Sequence, residues 1–183
     1  VNDAVLTPVW RGAGYIQVQL MDDVRIQVYH PDYPSRRRYP SIHSHYHPFT
    51  SRTLAGRICS SVYQYQLVSK GSHMLVKRNP DRGLSPDVVI GRTDLKYMYT
   101  IDTVSGVTYE FGGPRLMHEV APVQELTVTC LRHSRVDVTT EKRGCIYAMP
   151  PDADLLDRVI SNDEGPDEDT MRDIVREALR GLV

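Results

Sequence analysis

Apolar and polar residues alternate with a period of two over most of the chain. Ile16, Val18 and Leu20 are interleaved with Gln17 and Gln19, and Val24, Ile26 and Val28 with Arg25 and Gln27. Successive side chains of a strand point to opposite faces, so each run carries one apolar face, and Asp22-Asp23 between them predicts a hairpin. Residues 31–40, rich in Pro and Arg, predict a loop. Further strand patterns fall at 41–47, 51–58, 61–68, 97–104, 107–111, 116–120, 126–131 and 135–139, with Ser105-Gly106 and Gly112-Gly113-Pro114 as turns. Many short strands with no helix between them predict an all-β sandwich or barrel rather than a βαβ fold.

Residues 69–86 break the alternation. Lys70, Gly71, Asn79-Pro80-Asp81 and Gly83 make this stretch polar and turn-rich, a long excursion that serves either as a lid or as a surface loop. Helical spacing appears only at the end. Asp152 is placed to cap a short helix carrying Leu155, Leu156, Val159 and Ile160. After Gly165-Pro166, the residues Met171, Ile174, Val175, Ala178, Leu179 and Leu182 form one apolar stripe. Asp167, Glu168 and Asp169 open that helix and Arg176 and Arg180 lie toward its end, as the helix dipole favours. The chain thus divides into a β-barrel over 1–150 and a helical tail over 151–183. The stripe either packs on the barrel or joins two copies in a homodimer.

Composition narrows the function classes. A chain of 183 residues suits one domain. Lys plus Arg number 22 against 23 Asp plus Glu, so no basic excess points to nucleic acid, and a small-molecule partner is expected. Eleven tyrosines against two phenylalanines suit a barrel with a wet interior, since tyrosine favours strands and carries a hydroxyl. Cys59, Cys130 and Cys145 are odd in number and form no CxxC pair, so neither a zinc knuckle nor a disulfide framework is indicated. A reducing cytoplasm is the expected location. No apolar run approaches the roughly 20 residues of a membrane span.

The candidate chemistry lies in Ile42-His43-Ser44-His45-Tyr46-His47. On a strand the three histidines project from one face, and two imidazoles two residues apart can grip one ion. Phe49, Ser51, Leu54 and Gly56 follow. The run His43-Ser44-His45, Phe49 and Gly56 resembles the first cupin motif, and Gly106, Tyr109, Gly112-Gly113-Pro114 and His118 resemble a degenerate second one. The resemblance spans about residues 15–140. It implies a cupin double-stranded β-helix, or jelly-roll barrel, with a C-terminal helical tail and a divalent metal on His43, His45 and His118. Two departures stand out. Phe49 occupies the place of the usual motif Glu, and the 73 residues from His45 to His118 exceed the family's spacing, with 69–86 accounting for the excess.

Three neutral imidazoles leave a metal its full charge and open coordination positions. In ligand set this is similar to the thiol dioxygenases, which implies Fe(II) and oxidation of a small polar anionic substrate. With Zn, Mn or Ni the same site suits an isomerase, epimerase or lyase. In a third reading the barrel binds a ligand without catalysis, and the histidines are core or rim residues. Around the site, Tyr109 is either a proton donor to a bound anion or a core tyrosine with a satisfied hydroxyl. His47 is a catalytic or substrate-contacting residue, with a role as ligand left open if Pro48 bends the strand. Arg52 and Arg57 are candidate substrate-binding guanidiniums. Arg36, Arg37 and Arg38 are read as a solvated loop or an anion-binding one. Glu119 points away from His118, and His30, His73 and His133 are read as surface or loop residues.

Overall fold

The computed structural model describes residues 7–11, 13–35, 42–45, 47–77, 88–113, 115–134, 145–153 and 165–182. β1 (Pro8–Arg11), β2 (Tyr15–Gln19) and β3 (Val24–Tyr29) form an antiparallel meander, with β2 and β3 as the hairpin predicted around Asp22-Asp23. β11 (Thr127–His133) pairs with β3, β5 (Phe49–Ala55) with β11, and β9 (Thr108–Phe111) with β5. These make a six-stranded sheet in the order β1-β2-β3-β11-β5-β9. The other strands are β4 (Ile42–His43), β6 (Arg57–Val68), β7 (His73–Lys77), β8 (Val88–Val104), β10 (Leu116–Val120) and β12 (Ile146–Met149). They close on one another in the ring β10-β4-β12-β7-β8-β6. One helix, α1 (Glu168–Arg180), follows them among the described residues. The architecture is all-β, a six-stranded sheet and a closed barrel of six strands, with a C-terminal helix.

Alternation sorts the first sheet into two buried faces. Ile16, Val18, Ile26, Val28 and Val128 meet Ile174, Val175 and Ala178 of α1 in one cluster. The helix is held at its start by Asp167, whose side chain accepts from the Thr170 N–H at 2.7 Å. The residues between, Gln17, Gln27, Tyr29 and Thr129, face the opposite way and are buried as well. Tyr29 Oη and Thr129 Oγ1 both lie 3.3 Å from Gln27 Oε1, so these interior groups satisfy one another. The polar half of the alternation therefore lines the barrel instead of meeting solvent.

The chain passes from this sheet into the ring at Gly56. Its φ of +72° is a left-handed conformation, and a Cβ there would lie 2.6 Å from the Leu126 carbonyl oxygen and 2.5 Å from Thr127 Oγ1. The glycine that trails the HxH pair is thus the corner that turns β5 into β6. Near that corner Thr53 Oγ1 and Thr103 Oγ1 share a 2.8 Å hydrogen bond between the two sheets.

Several boundaries differ from the sequence pattern. The run at 41–47 forms only the two-residue β4. Beyond it Ser44 stays tied to β12, its N–H donating to the Ile146 carbonyl at 2.8 Å and its Oγ accepting from Ile146 N at 3.1 Å, and the chain bends at His47. The 69–86 excursion is not all loop. His73–Lys77 is β7, a wall strand paired with β8 and β12, because Leu75 and Val76 are fully buried. β1 and β12 were not anticipated. Each is four residues long, too short to display a period. Residues 78–86 of the excursion, the strand at 135–139, Arg36–38 and most of the helix starting at Asp152 lie outside the described residues.

Candidate metal centre

His43 and His118 are direct cross-strand partners where β4 meets β10. Their neighbours Ile42 and Met117 face the other way, into a cluster with Leu75 and Ala148, which fixes both histidines on the opposite surface. His45 follows two residues after His43, just beyond the end of β4. The nitrogens that these three rings offer all lie within 4.8 Å of one another. His45 Nε2 and His118 Nε2 are 2.9 Å apart. Pairs of nitrogens at about 2.1 Å from one ion stand about 3.0 Å apart in adjacent octahedral positions and about 3.4 Å apart in a tetrahedron, so the convergence is of the size a single ion needs.

The surroundings keep two of the imidazoles neutral. His45 and His118 are both held well below the ordinary histidine range, first by burial and then by the neighbouring imidazoles. Phe49, where the motif resemblance expects a carboxylate, sets its ring edge-on to His45 at 4.6 Å between centroids, and Phe111 lies 4.6 Å from His118. Tyr147 stacks on His43 at 5.5 Å. Neutral rings present lone pairs, which is the state a metal ligand requires. His118 Nδ1 is also buried with no hydrogen-bond partner. The three residues fit a divalent metal by number and convergence, and His45 and His118 also by their 2.9 Å spacing and protonation state.

Of the other sequence candidates, Tyr109 reaches the same interior surface. It is the cross-strand partner of Ser51, with whose hydroxyl it hydrogen bonds, its ring is 6.2 Å from Phe49, and burial pushes its phenol up. His47 lies outside the three-ring group, near enough to His133 to help lower that residue's pKa. Arg52 is exposed on the face opposite to Ser51 and Thr53. Arg57 is exposed and its Nε donates to Asp102 at 2.8 Å. Neither guanidinium faces the histidines.

Two residues of this surface were not singled out by the sequence. His133, read there as a surface or loop histidine, ends β11 opposite Phe49 and sits 6.4 Å from the His45 ring, with its Nδ1 buried and unpartnered. Arg25, read only as a polar member of the β2–β3 alternation, lies on the interior face with Gln27 and Tyr29. No motif marks either one. Only the burial of both sheet faces brings them in.

The neutral histidines give a pH dependence with a definite sign. The unfolded chain protonates these rings as the pH falls through about 6.5. The folded chain resists, and His133 does so down to about 4. Stability is therefore full above about pH 6.5 and falls as the pH drops through the lowered folded-state values, by up to about 1.4 kcal/mol per pH unit for each fully buried ring. Urea midpoints of the metal-free chain should decline steadily from pH 7 to pH 4.5. A flat profile would mean that the rings are not shielded from protons.

Fold and site together define an all-β barrel with a three-histidine group of the kind that can hold a metal ion. No protein-family model matches the chain, and no curated protein sequence matches it. Among solved structures it is similar to hydroquinone 1,2-dioxygenase from Sphingomonas sp. TTNP3 with 4-hydroxybenzoate bound, with 14% identity and a TM-score of 0.39 over 77% of this chain and 72% of that one. It is also similar to hydroquinone 1,2-dioxygenase PnpCD in complex with Cd2+ and 4-hydroxybenzonitrile, with 10% identity and a TM-score of 0.36 over 77% and 71% of the two chains. No helix among the described residues is long and apolar enough to cross a membrane.

Proposed function

We propose that this protein is a metal-dependent enzyme that oxidises a small, polar, anionic molecule with dioxygen, using Fe(II) held by His43, His45 and His118. The observation that supports this reading best is the convergence of three imidazoles on one interior point, two of them held neutral by burial, with Phe49 in place of a fourth, charged ligand. Bound there, Fe(II) would supply a redox-active centre with open positions for both substrate and dioxygen. Phe49 and Phe111 exclude water from the rings they touch. Tyr109 holds a proton on its phenol oxygen and is placed to give a hydrogen bond to a polar substrate atom. His47 lies outside the ligand group and acts on substrate or proton transfer. The reading assigns no role to Arg52 or Arg57.

The test is anaerobic loading of the purified full chain with Fe(II), Zn(II), Mn(II) or Ni(II), followed by oxygen uptake with a panel of small thiols, enediols and carboxylates. About one metal per chain is expected, with no binding in His43→Ala or His45→Ala and oxygen uptake in the iron form alone. Stoichiometric metal in both variants would refute the site. Turnover without oxygen, equal in the zinc form, would replace oxidation by isomerase or lyase chemistry.

A further inference from the structure

We propose that Arg25 forms an anion subsite beside the three histidines, taking the carboxylate of a small organic acid along the Nε edge of its guanidinium. This names the anionic end of the substrate and so rests on the function proposed above.

The placement of Arg25 follows from register. It pairs across β3 and β11 with Leu131, Leu131 pairs with Ser51, and Ser51 pairs with Tyr109, so all four lie in one row of the interior surface. Its charge is close enough to His45, His133 and Tyr29 to act on each of them. Its Nε is buried and has no hydrogen-bond partner among the described residues.

Other arginines of the chain use theirs. Arg11 Nε donates to Gln17 at 3.2 Å, Arg57 Nε to Asp102 at 2.8 Å and Arg132 Nε to Asp23 at 3.3 Å. A buried N–H of a charged group left unmade is among the costlier defects a fold can carry, and such a group calls for a ligand or a functional explanation. The ligand that fits is a planar anion. Nε and one Nη form a fork whose two parallel N–H groups match the two oxygens of a carboxylate. The guanidinium carries a single positive charge, which the one negative charge of a carboxylate matches. The row then orients the molecule, with its carboxylate at Arg25 and its reacting end toward His45.

The probe is 13C-labelled acetate, titrated into the full chain after removal of metal by a chelator and followed by ligand-observed NMR. Saturable binding is expected in the wild type. It should be at least tenfold weaker in Arg25→Gln, intermediate in Arg25→Lys and unchanged in Arg52→Gln, with acetamide failing to compete. A second readout separates anion binding from structural support. Arg25→Met keeps the aliphatic length and removes the unpartnered buried Nε–H, so the metal-free melting temperature should hold or rise by about 2–4 °C.

Equal acetate binding in Arg25→Gln, competition by acetamide, or no acetate binding to the wild type overturns the subsite. Phosphate binding tenfold tighter than acetate overturns the carboxylate assignment. A fall in melting temperature beyond about 4 °C in Arg25→Met marks the arginine as structural and overturns the proposal. Because the titration uses neither iron nor oxygen, Arg25-dependent acetate binding in a chain that never consumes oxygen would sink the oxidation reading and leave the subsite standing.

Discussion

His118→Ala should lower metal affinity by at least about 100-fold, roughly 2.7 kcal/mol, while His47→Ala stays within about threefold of the wild type. His43 and His45 come from one short stretch and approach an ion from one side. His118 is the ligand that a different strand brings, pinned opposite His43 by the β4–β10 pairing. Removing it leaves two imidazoles and a gap between Phe111 and His45. His47 lies at the bend that follows, on the side of His133, so its loss leaves the three-ring group intact. Competition titrations with a chromogenic chelator measure both variants, with circular dichroism of the metal-free proteins as a control for folding. Retention in His118→Ala with loss in His47→Ala would move the centre to the other end of the stretch.

Ile174→Asp should destabilise the protein by about 3–5 kcal/mol, a large part of the roughly 5–15 kcal/mol that holds a domain folded. Ile174 is 7% exposed and packs with Val175 and Ala178 against Ile16, Val18, Ile26, Val28 and Val128. A carboxylate there has no partner in an apolar cluster and must either stay charged without water or take up a proton. The melting temperature should fall by about 6–20 °C. Arg176→Ala, on the exposed face of the same helix, should change it by no more than about 2 °C. An equally small change in Ile174→Asp would mean that α1 does not hold to the sheet in solution. The metal site would feel the loss of α1 indirectly, because the helix covers the back of the sheet whose front carries Phe49, His133 and Arg25.

The alternation at 16–28, the alternating run at 116–120 and the stripe from Met171 to Leu182 were legible in the sequence. Each element satisfies its own local period, and each is present in the structure. His43, His45 and His118 were also legible, two by their spacing and the third through its resemblance to a second cupin motif. The metal group contains those three residues among the ones described. Short strands were not legible. β1 and β12 are four residues each, and β7 sits among turn residues, so their pairing partners define them more than their own pattern does.

What the tertiary structure alone decided is which polar residues are inside. A period of two separates two faces of a strand without saying which faces solvent. On β3 the sequence makes Arg25 and Gln27 look like the wet side of an ordinary hairpin, and on β11 it leaves His133 as a polar end. Closure of the barrel over that side turned them inward, Gln27 buried and Arg25 and His133 half-buried near His45, while α1 covered the apolar side. Arg52 illustrates the converse, since a guanidinium close in sequence to the HxH pair ended on the outer surface. Local periodicity fixes relative orientation within an element. Only the packing of one sheet against another assigns those orientations to interior or solvent, because that assignment depends on contacts between residues as far apart in the chain as Arg25, Leu131 and Tyr109.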